Sequence, residues 1–354
     1  MLHFLYSYFH INVLQYITVR AGIAFILSTL FVLFALPLFV RWAKAQQLNQ
    51  PIYDLAPQGH QVKARTPTMG GVIFITGTLI ASLLTMDWSN FYAWVGVGVL
   101  TAFMLVGFQD DFGKISQNSN TAGLTARHKS TLQFMLSLLF MIVLYSHDAF
   151  GTQLYVPFYK EPLFSMGLFA LLFWVFVMVG TSNAVNLTDG LDGLATVPSI
   201  FSLLSLGIIA YLTGNMVLST YLLLPSIQGV GEVTILASAL AGALIGFLWY
   251  NAHPAEVFMG DSGSLSIGAF IAYMAIITKS EILLILIGLI FVIETISVML
   301  QVGSFKLRKK RIFLMAPIHH HFEMKKWAEN KIIVRFWIIA MLSNLVALIS
   351  LKIR

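Results

Sequence analysis

Residues 21–40 read AGIAFILSTLFVLFALPLFV and contain no charged side chain. A helix needs roughly 20 mostly apolar residues to cross the hydrocarbon core of a bilayer, and this run has that length. The rest of the chain has a similar character: of its 354 residues, 58% are hydrophobic and only 10% are charged. Soluble domains carry about 25% charged residues. The sequence therefore predicts an integral membrane protein.

Comparable apolar stretches recur along the whole chain. They lack the alternation of polar and apolar residues that marks barrel strands, and helices satisfy their own backbone hydrogen bonds in lipid. We therefore predict an all-α integral membrane protein, a single polytopic domain over residues 1–354 built as a bundle of ten transmembrane helices. The ten predicted spans cover about residues 21–40, 70–86, 91–108, 131–147, 165–182, 194–212, 233–250, 262–278, 282–302 and 332–351.

The distribution of charge predicts the orientation. Ten spans place both termini on one side, and 15 of the 21 Lys and Arg residues fall in connections on the other side. Positive charge accumulates on the cytoplasmic side of a membrane. Both termini are therefore predicted to be periplasmic. Most of the acidic residues and histidines share the basic side, which predicts an active site at the cytoplasmic face unless the loops simply collect polar residues.

The formal net charge of +6 alone could indicate nucleic-acid binding. However, the basic cluster KLRKKR, residues 306–311, lies next to a predicted span, which is typical of contact with anionic lipid headgroups. We therefore expect membrane lipids rather than nucleic acid as partners. The chain has no Cys, which excludes disulfides and thiolate chemistry. It also lacks a P-loop and a Rossmann glycine motif, so phosphate chemistry would rest on a metal and single side chains.

The first polar motif, GFQDDFGK over residues 107–114, closes the third predicted span. If the helix continues, Asp110 and Lys114 are four residues apart and share a face. The adjacent carboxylates of Asp110 and Asp111 repel each other unless a cation lies between them. Mg²⁺ takes oxygen ligands together with substrate phosphate oxygens. The motif thus predicts a magnesium site, with a solvated helix end as the alternative.

The second motif, NAVNLTDGLDG over residues 183–193, follows the fifth predicted span. Amide or carboxylate side chains recur in it every three residues, at Asn183, Asn186, Asp189 and Asp192. A helical or tight-turn continuation aligns such residues as one polar stripe. A capping residue before the next span explains one of them but not four. The stripe therefore predicts a binding surface.

The third motif, NAHPAEVFMGDSGS over residues 251–264, joins the seventh and eighth predicted spans. Asp261 or Ser262 is expected to cap the eighth span, whose free amides suit a phosphate. Asp261 could also reach a metal, and Phe258 offers a flat face for a base. Capping alone is the alternative for Asp261.

The fourth motif is APIHHHFE, residues 316–323. Three consecutive histidines point in different directions on any regular backbone, so they make a poor zinc site. Hydrogen bonds to phosphate, sugar or base suit them better, and a surface run is the alternative. Elsewhere, Lys63 is a candidate for a phosphate or nucleotide contact. Glu294 lies inside the ninth predicted span, where an unpaired charge costs about 2.5 to 3.5 kcal/mol, so it should face the bundle interior.

The motifs at residues 107–114, 183–193, 260–264 and 316–323 closely resemble those of the polyprenyl-phosphate N-acetylhexosamine-1-phosphate transferases. The resemblance covers nearly the whole chain, and the triple-histidine segment is similar to the muramoyl branch of the family. The resemblance implies that UDP-N-acetylmuramoyl-pentapeptide and undecaprenyl phosphate react to give lipid I and UMP, with Mg²⁺ required. It also implies a homodimer in the bacterial inner membrane.

The resemblance further implies roles for individual residues. Asp261 is expected to bind Mg²⁺, with Asp110 and Asp111 close by. Asp110 is expected to remove the proton of the lipid phosphate, which then attacks the sugar-bearing phosphorus; an Asp nucleophile that forms a phospho-enzyme is the alternative. Lys114 and His319 are expected beside the phosphates. The expected substrate-binding residues are Lys63, Thr68, Asn183, Asn186, Asp189, Asp192, Asn251, Phe258, Gly260, Gln301, His320 and His321, with Phe258 stacked on uracil.

Three other functions compete with this one. The same chemistry on UDP-N-acetylglucosamine is disfavoured by the histidine segment. An ion-coupled secondary transporter would hold its carboxylates near the bilayer midplane, whereas these acids cluster at the ends of spans. A scaffold whose basic loops bind lipid leaves the stripe of Asn and Asp residues unexplained.

Overall fold

The computed structural model describes residues 8, 11–46, 66–117, 123–147 and 150–353. Within these ranges the chain is mostly helical. The helices are α1 Ile17–Ala45, α2 Gly70–Thr85, α3 Phe91–Ser116, α4 Ala126–Tyr145, α5 Phe169–Thr188, α6 Thr196–Thr213, α7 Met216–Leu222, α8 Val233–Asn251, α9 Asp261–Ile277, α10 Leu284–Ile287, α11 Leu289–Arg308, α12 Ile318–Met324 and α13 Glu329–Ser350. Two short antiparallel strands, β1 Gln153–Leu154 and β2 Phe164–Ser165, form a hairpin before α5.

Eight helices in the described ranges are long and apolar enough to cross a membrane, namely α1, α3, α4, α5, α6, α8, α11 and α13. The apolar helices α2 and α9 are shorter, with 16 and 17 residues. Apolar side chains also cover the outside of the molecule: Phe34, Phe176 and Trp249 are 74%, 74% and 77% exposed. The many large apolar side chains exposed in this way suit contact with lipid rather than water.

Several predicted spans differ from the helices observed: α1 extends beyond 21–40 at both ends, α4 begins before 131, and α5 covers Phe169–Thr188 rather than 165–182, so Asn183 and Asn186 lie within it. The third prediction, 91–108, stops too early because α3 continues to Ser116, so the GFQDDFGK motif lies within the helix. The ninth prediction, 282–302, is divided at Gly288 into α10 and α11. Glycine is a weak helix former, which explains the interruption there.

The central helix of the bundle is α9. Every residue from 262 to 277 is buried, and the helix packs against α3, α5, α6 and α2. Glycines permit the closest approaches: a Cβ at Gly107 would collide with the backbone of Asp261, and a Cβ at Gly71 would collide with the backbone of Gly263. The N-terminus of α9 therefore meets α2 and the polar end of α3.

A buried ion pair lies at the opposite end of the bundle. Arg20 on α1 contacts Glu232, just before α8, and donates a hydrogen bond to the Thr85 carbonyl at 3.1 Å. Both charged side chains are almost fully buried. Buried charges need such pairing. This pair fixes α1, α2 and α8 to one another, far from the polar motifs.

Candidate active site

The carboxylate of Asp111 holds the N-terminus of α9. Its Oδ1 accepts the backbone N–H of Asp261 and its Oδ2 accepts that of Ser262, each at 3.0 Å. The first amides of a helix have no partners within it, and the helix dipole favours a negative charge there. The expectation that Asp261 or Ser262 caps this helix is wrong, because the cap comes from α3. Gly260 precedes the helix with φ +76°, and a Cβ there would lie 2.6 Å from Asp111.

The side chain of Asp261 is consequently free to enter a polar cluster. Its Oδ2 contacts the ammonium groups of Lys114 at 2.9 Å and Lys129 at 2.6 Å. Its Oδ1 accepts a hydrogen bond from Asn186 Nδ2 at 2.6 Å. Asn186 also donates to Ser264 Oγ at 2.8 Å, which orients the amide. Side chains from α3, α4 and α5 therefore converge on the first residue of α9.

Asp110 joins the same cluster. Its Oδ2 lies 2.6 Å from Lys114 Nζ, as the four-residue spacing predicts, and 3.4 Å from Lys129 Nζ. Its Oδ1 accepts the backbone N–H of Leu124 at 2.7 Å. Because Asp110 and Asp261 contact the same two ammonium groups, the two carboxylates are close neighbours although they are far apart in sequence.

Lys129 is not among the site residues predicted from the sequence. A single basic residue in a predicted loop is equally well explained by membrane orientation, so the sequence gives no reason to assign Lys129 to the site. A helical period offers a signal, however: Lys129, Gln133 and Ser137 repeat every four residues on α4, and the latter two are fully buried. Residues spaced in this way share a helix face.

Helix α5 ends at Thr188, so the Asn residues of the predicted stripe lie within the helix and its Asp residues lie beyond it. Asn183 donates to Gln133 Oε1 at 2.7 Å, one turn away from Asn186. Asp189 lies in the turn beyond the helix and is partly buried. Burial, together with the charges of Asp261, Asp111 and Asp192, raises the pKa of Asp189 to about 8.

Asp192 belongs to a second group of side chains. Its Oδ2 lies 3.0 Å from His253 Nδ1 and accepts the backbone N–H of Ala255 at 3.1 Å. Glu329 Oε1 lies 3.5 Å from the same His253 nitrogen. In the described part of the chain, Asp192, His253 and Glu329 form a possible metal-binding group, whose ligand atoms lie within 4.8 Å of one another. No local spacing in the sequence links these three residues.

Three further predicted binding residues lie around the 251–264 connection. Asn251 is buried, donates to the Val257 carbonyl at 3.0 Å and accepts from Thr196 Oγ1 at 3.0 Å, so its amide shapes the connection. Phe258 pairs through its backbone N–H with the Pro67 carbonyl at 2.9 Å. Thr68 is buried, and a Cβ at Gly260 would lie 3.1 Å from its hydroxyl. Lys63 lies outside the described residues.

Gln301 fastens the connection that follows α11. Its Oε1 accepts the backbone N–H groups of Ile312 at 3.0 Å and Phe313 at 2.9 Å. Its Nε2 donates to the Phe313 carbonyl at 3.0 Å. The side-chain amide therefore holds the segment that leads into the three histidines of α12.

The three histidines diverge, as predicted. His319 Nδ1 lies 3.1 Å from Glu294 Oε2, and both side chains are fully buried. His320 Nδ1 lies 2.5 Å from Glu323 Oε2, and His321 Nδ1 accepts the backbone N–H of Leu314 at 3.1 Å. The expectation that Glu294 faces the bundle interior is confirmed.

Comparison with known proteins identifies the family. The model of glycosyl transferase family 4 matches residues 93–279, which run from α3 through α9 and include the carboxylate cluster. The chain belongs to glycosyl transferase family 4. A phospho-N-acetylmuramoyl-pentapeptide-transferase signature also matches residues 63–75, which include the glycine pair at the start of α2.

Relatives named phospho-N-acetylmuramoyl-pentapeptide-transferase match this member of the family over its full length. The protein of Sulfurimonas denitrificans is 64% identical over 354 residues, and that of Nitratiruptor sp. is 63% identical over the same length. The protein of Aliarcobacter butzleri is 60% identical over 356 residues. Each alignment covers 100% of both chains.

Proposed function

We propose that this glycosyl transferase family 4 protein transfers phospho-N-acetylmuramoyl-pentapeptide from UDP-N-acetylmuramoyl-pentapeptide to undecaprenyl phosphate, which yields lipid I and UMP. Full-length relatives that carry the name of this activity support the choice of substrates. The structural observation that carries the proposal is the convergence of Asp110 and Asp261 on Lys114 and Lys129 at one end of an apolar bundle. A lipid phosphate and a water-soluble nucleotide can meet there.

We further propose that the chain is a single domain of ten spans in the bacterial inner membrane, with both termini periplasmic. Eight long apolar helices and the two shorter helices α2 and α9 support this number. The concentration of Lys and Arg in connections on one side supports the orientation, which makes the carboxylate cluster cytoplasmic. A homodimer stays a prediction from the family resemblance.

The donor set of the cluster fits Mg²⁺. Three carboxylates gather near two ammonium groups, namely Asp110, Asp111 and Asp261 with Lys114 and Lys129, and Asp189 is a further neighbour of Asp111 and Asp261. The excess of negative charge and the oxygen-only donors suit this ion. We propose that Asp261 and Asp110 hold it, with Asp111 near the ion through lone pairs not used by the α9 amides. Bound Mg²⁺ would neutralise charge on the phosphates.

The chain's own residues would perform the remaining steps. We propose that one carboxylate oxygen of Asp110 accepts the proton of undecaprenyl phosphate. The backbone N–H of Leu124 binds the other carboxylate oxygen of Asp110. The freed phosphate oxygen attacks the sugar-bearing phosphorus, and the bond to UMP breaks with its electron pair on UMP. Lys114 and Lys129 would then release the carboxylates and bind phosphate oxygens instead. Phosphoryl transfer depends mainly on such positioning and charge neutralisation. A covalent aspartyl-phosphate remains the alternative mechanism.

The nucleotide and sugar pocket also remains a proposal. Its proposed members are Lys63, Thr68, Asn183, Asn186, Asp189, Asp192, Asn251, Phe258, Gly260, Gln301, His320 and His321, with His319 beside the phosphates. The side-chain amides of Asn251 and Gln301 bind backbone groups of their own connections. These two residues would therefore contribute mainly by shaping the pocket.

The proposal is tested by incubating the purified protein with undecaprenyl phosphate and either UDP-N-acetylmuramoyl-pentapeptide or UDP-N-acetylglucosamine, with Mg²⁺ or with a chelator. We expect UMP and lipid I from the muramoyl donor alone, and only with Mg²⁺. UMP from UDP-N-acetylglucosamine would instead indicate the other branch of the chemistry. Transport by proteoliposomes without UMP release would contradict the enzymatic assignment.

A further inference from the structure

Glu294 and His319 form a pair of ionisable side chains with no exposed surface. Glu294 lies on α11 and His319 on α12, and His319 Nδ1 is 3.1 Å from Glu294 Oε2. Among the residues that the structure describes, neither carboxylate oxygen of Glu294 and neither ring nitrogen of His319 has an aligned hydrogen-bond partner, so the 3.1 Å approach is a contact without hydrogen-bond alignment. The pair therefore holds polar atoms that its protein surroundings leave unsatisfied.

Packing alone does not account for Glu294. A carboxylate within an apolar helix carries a desolvation cost that a leucine of similar volume avoids. The opposite face of α11 is apolar and exposed, with Ile296 at 47% and Met299 at 68%, as expected for contact with lipid. Glu294 instead faces inward and meets a histidine from a different element. The contact with His319 is therefore the feature that needs this carboxylate.

The other edge of the imidazole packs against the turn between α5 and α6. A Cβ at Gly190 would collide with His319 Nε2, so the ring lies flush against the backbone there. Gly190 follows Asp189 and precedes Asp192, the two carboxylates proposed for the nucleotide pocket. The imidazole thus bridges a carboxylate within α11 and the turn that carries part of the pocket.

We infer that Glu294 is a positioning residue that fixes the tautomer and ring orientation of His319. At 3.1 Å the carboxylate oxygen is close enough to accept the Nδ1–H once the two groups align, which would leave the lone pair on Nε2 directed at the turn around Gly190. The hydrogen bond made by one ring nitrogen determines the state of the other. The imidazole ring, held in this orientation, packs against the 189–193 turn and keeps that turn in the position that binds the sugar nucleotide. The inference deepens the proposed function, and only its kinetic readout rests on that function.

The test uses the full-length protein labelled with ¹⁵N-histidine in lipid nanodiscs. The imidazole signals of His319 are assigned by their absence in His319→Gln. We expect the Nδ1–H tautomer in the wild type and in Glu294→Gln, whose amide oxygen still accepts, and its loss in Glu294→Leu. The control is Thr295→Val, which removes a neighbouring buried hydroxyl that lacks a described partner. An Nε2–H tautomer in the wild type overturns the inference, whether or not Glu294→Leu folds.

A kinetic measurement separates positioning from general stability. Loss of a hydrogen bond to a charged group corresponds to a change of about tenfold to a hundredfold. Glu294→Leu is expected to raise the KM for the sugar nucleotide by that factor and to leave the KM for undecaprenyl phosphate unchanged, with Glu294→Gln close to the wild type. Equal changes in both constants would contradict the inference. If the wild type released no UMP, the proposed function would fail while the tautomer result still decided the role of Glu294.

Discussion

The carboxylate of Asp111 on α3 accepts the backbone amide of Asp261 on α9 at 3.0 Å. This contact occupies the helix terminus and leaves the side chain of Asp261 free to reach Lys114 and Lys129. The adjacent residues Asp110 and Asp111 therefore differ in task. Asp110 faces the ammonium groups, while Asp111 joins two helices.

Asp111→Asn is expected to destabilise the fold more than Asp110→Asn. The asparagine keeps one acceptor oxygen but loses the charge at the helix N-terminus and one of two amide contacts, a loss of about 1 to 2 kcal/mol. Asp110→Asn removes a charge that pairs with Lys114 and Lys129 but also repels the neighbouring carboxylate of Asp261, so the two effects on stability oppose each other. Thermal unfolding of both variants in the same detergent measures the difference. A larger drop in melting temperature for Asp110→Asn would contradict the assigned tasks.

Lys129→Met is expected to reduce UMP release by about tenfold or more, because the ammonium group contacts Asp261 and Asp110 and each charged hydrogen bond contributes substantially. Lys129→Arg should recover part of the activity. Arg127→Met is the matched control, since Arg127 lies in the same helical turn but is exposed. Steady-state rates for the three variants provide the measurement. Equal losses in Lys129→Met and Arg127→Met would indicate a general charge effect instead.

Gly107→Ala is expected to lower both stability and activity. The added Cβ would collide with the backbone of Asp261, so α3 must move away from α9 and separate the carboxylates. Gly180→Ala on α5 is the control, because a Cβ there meets no atom within 4 Å and alanine is a better helix former. Melting temperature and UMP release should both fall only in the first variant. Normal activity in Gly107→Ala would show that the close approach is dispensable.

Asp189 should make stability depend on pH. Burial and nearby carboxylates raise its pKa to about 8 from an ordinary value of 3.8. Between these values the folded protein holds a proton that the unfolded chain has lost, so the contribution of this group to stability falls as pH rises and is fully lost above pH 8. Without divalent cations, the melting temperature should be lower at about pH 8.5 than at about pH 5.5. Asp189→Asn should reduce that difference; an unchanged difference contradicts the raised pKa.

Composition and helical geometry account for much of what the sequence predicts. Long apolar runs must be helical in lipid, so each predicted span overlaps an observed helix. The ends are less well predicted, since α1, α3, α4 and α5 extend beyond the predicted bounds, and the ninth span is broken at Gly288. The contact between Asp110 and Lys114 follows from a four-residue spacing within one helix. The inward position of Glu294 follows from the cost of exposing a charge to lipid.

Contacts between distant helices are not encoded by local spacing. The cap of α9 comes from Asp111, which precedes Asp261 by many helices, so a local rule chose the wrong residue. In the sequence, Lys129 cannot be distinguished from other loop lysines. Only the packing of α4 beside α3 brings it to the carboxylates. The pairing of Asp192 with His253 and Glu329 likewise depends on how two connections fold against the first residue of α13. Sequence patterns therefore identify the motifs, whereas helix packing determines their partners.

UMP release by wild-type protein and by Asp261→Asn, measured in the same lipid with Mg²⁺, tests the proposed site most directly. Asp261 is the residue on which Asn186, Lys114 and Lys129 converge. We predict that the variant keeps the wild-type melting temperature and releases no UMP above background. Substantial UMP release by the folded variant would contradict the role of Asp261 at the centre of the site.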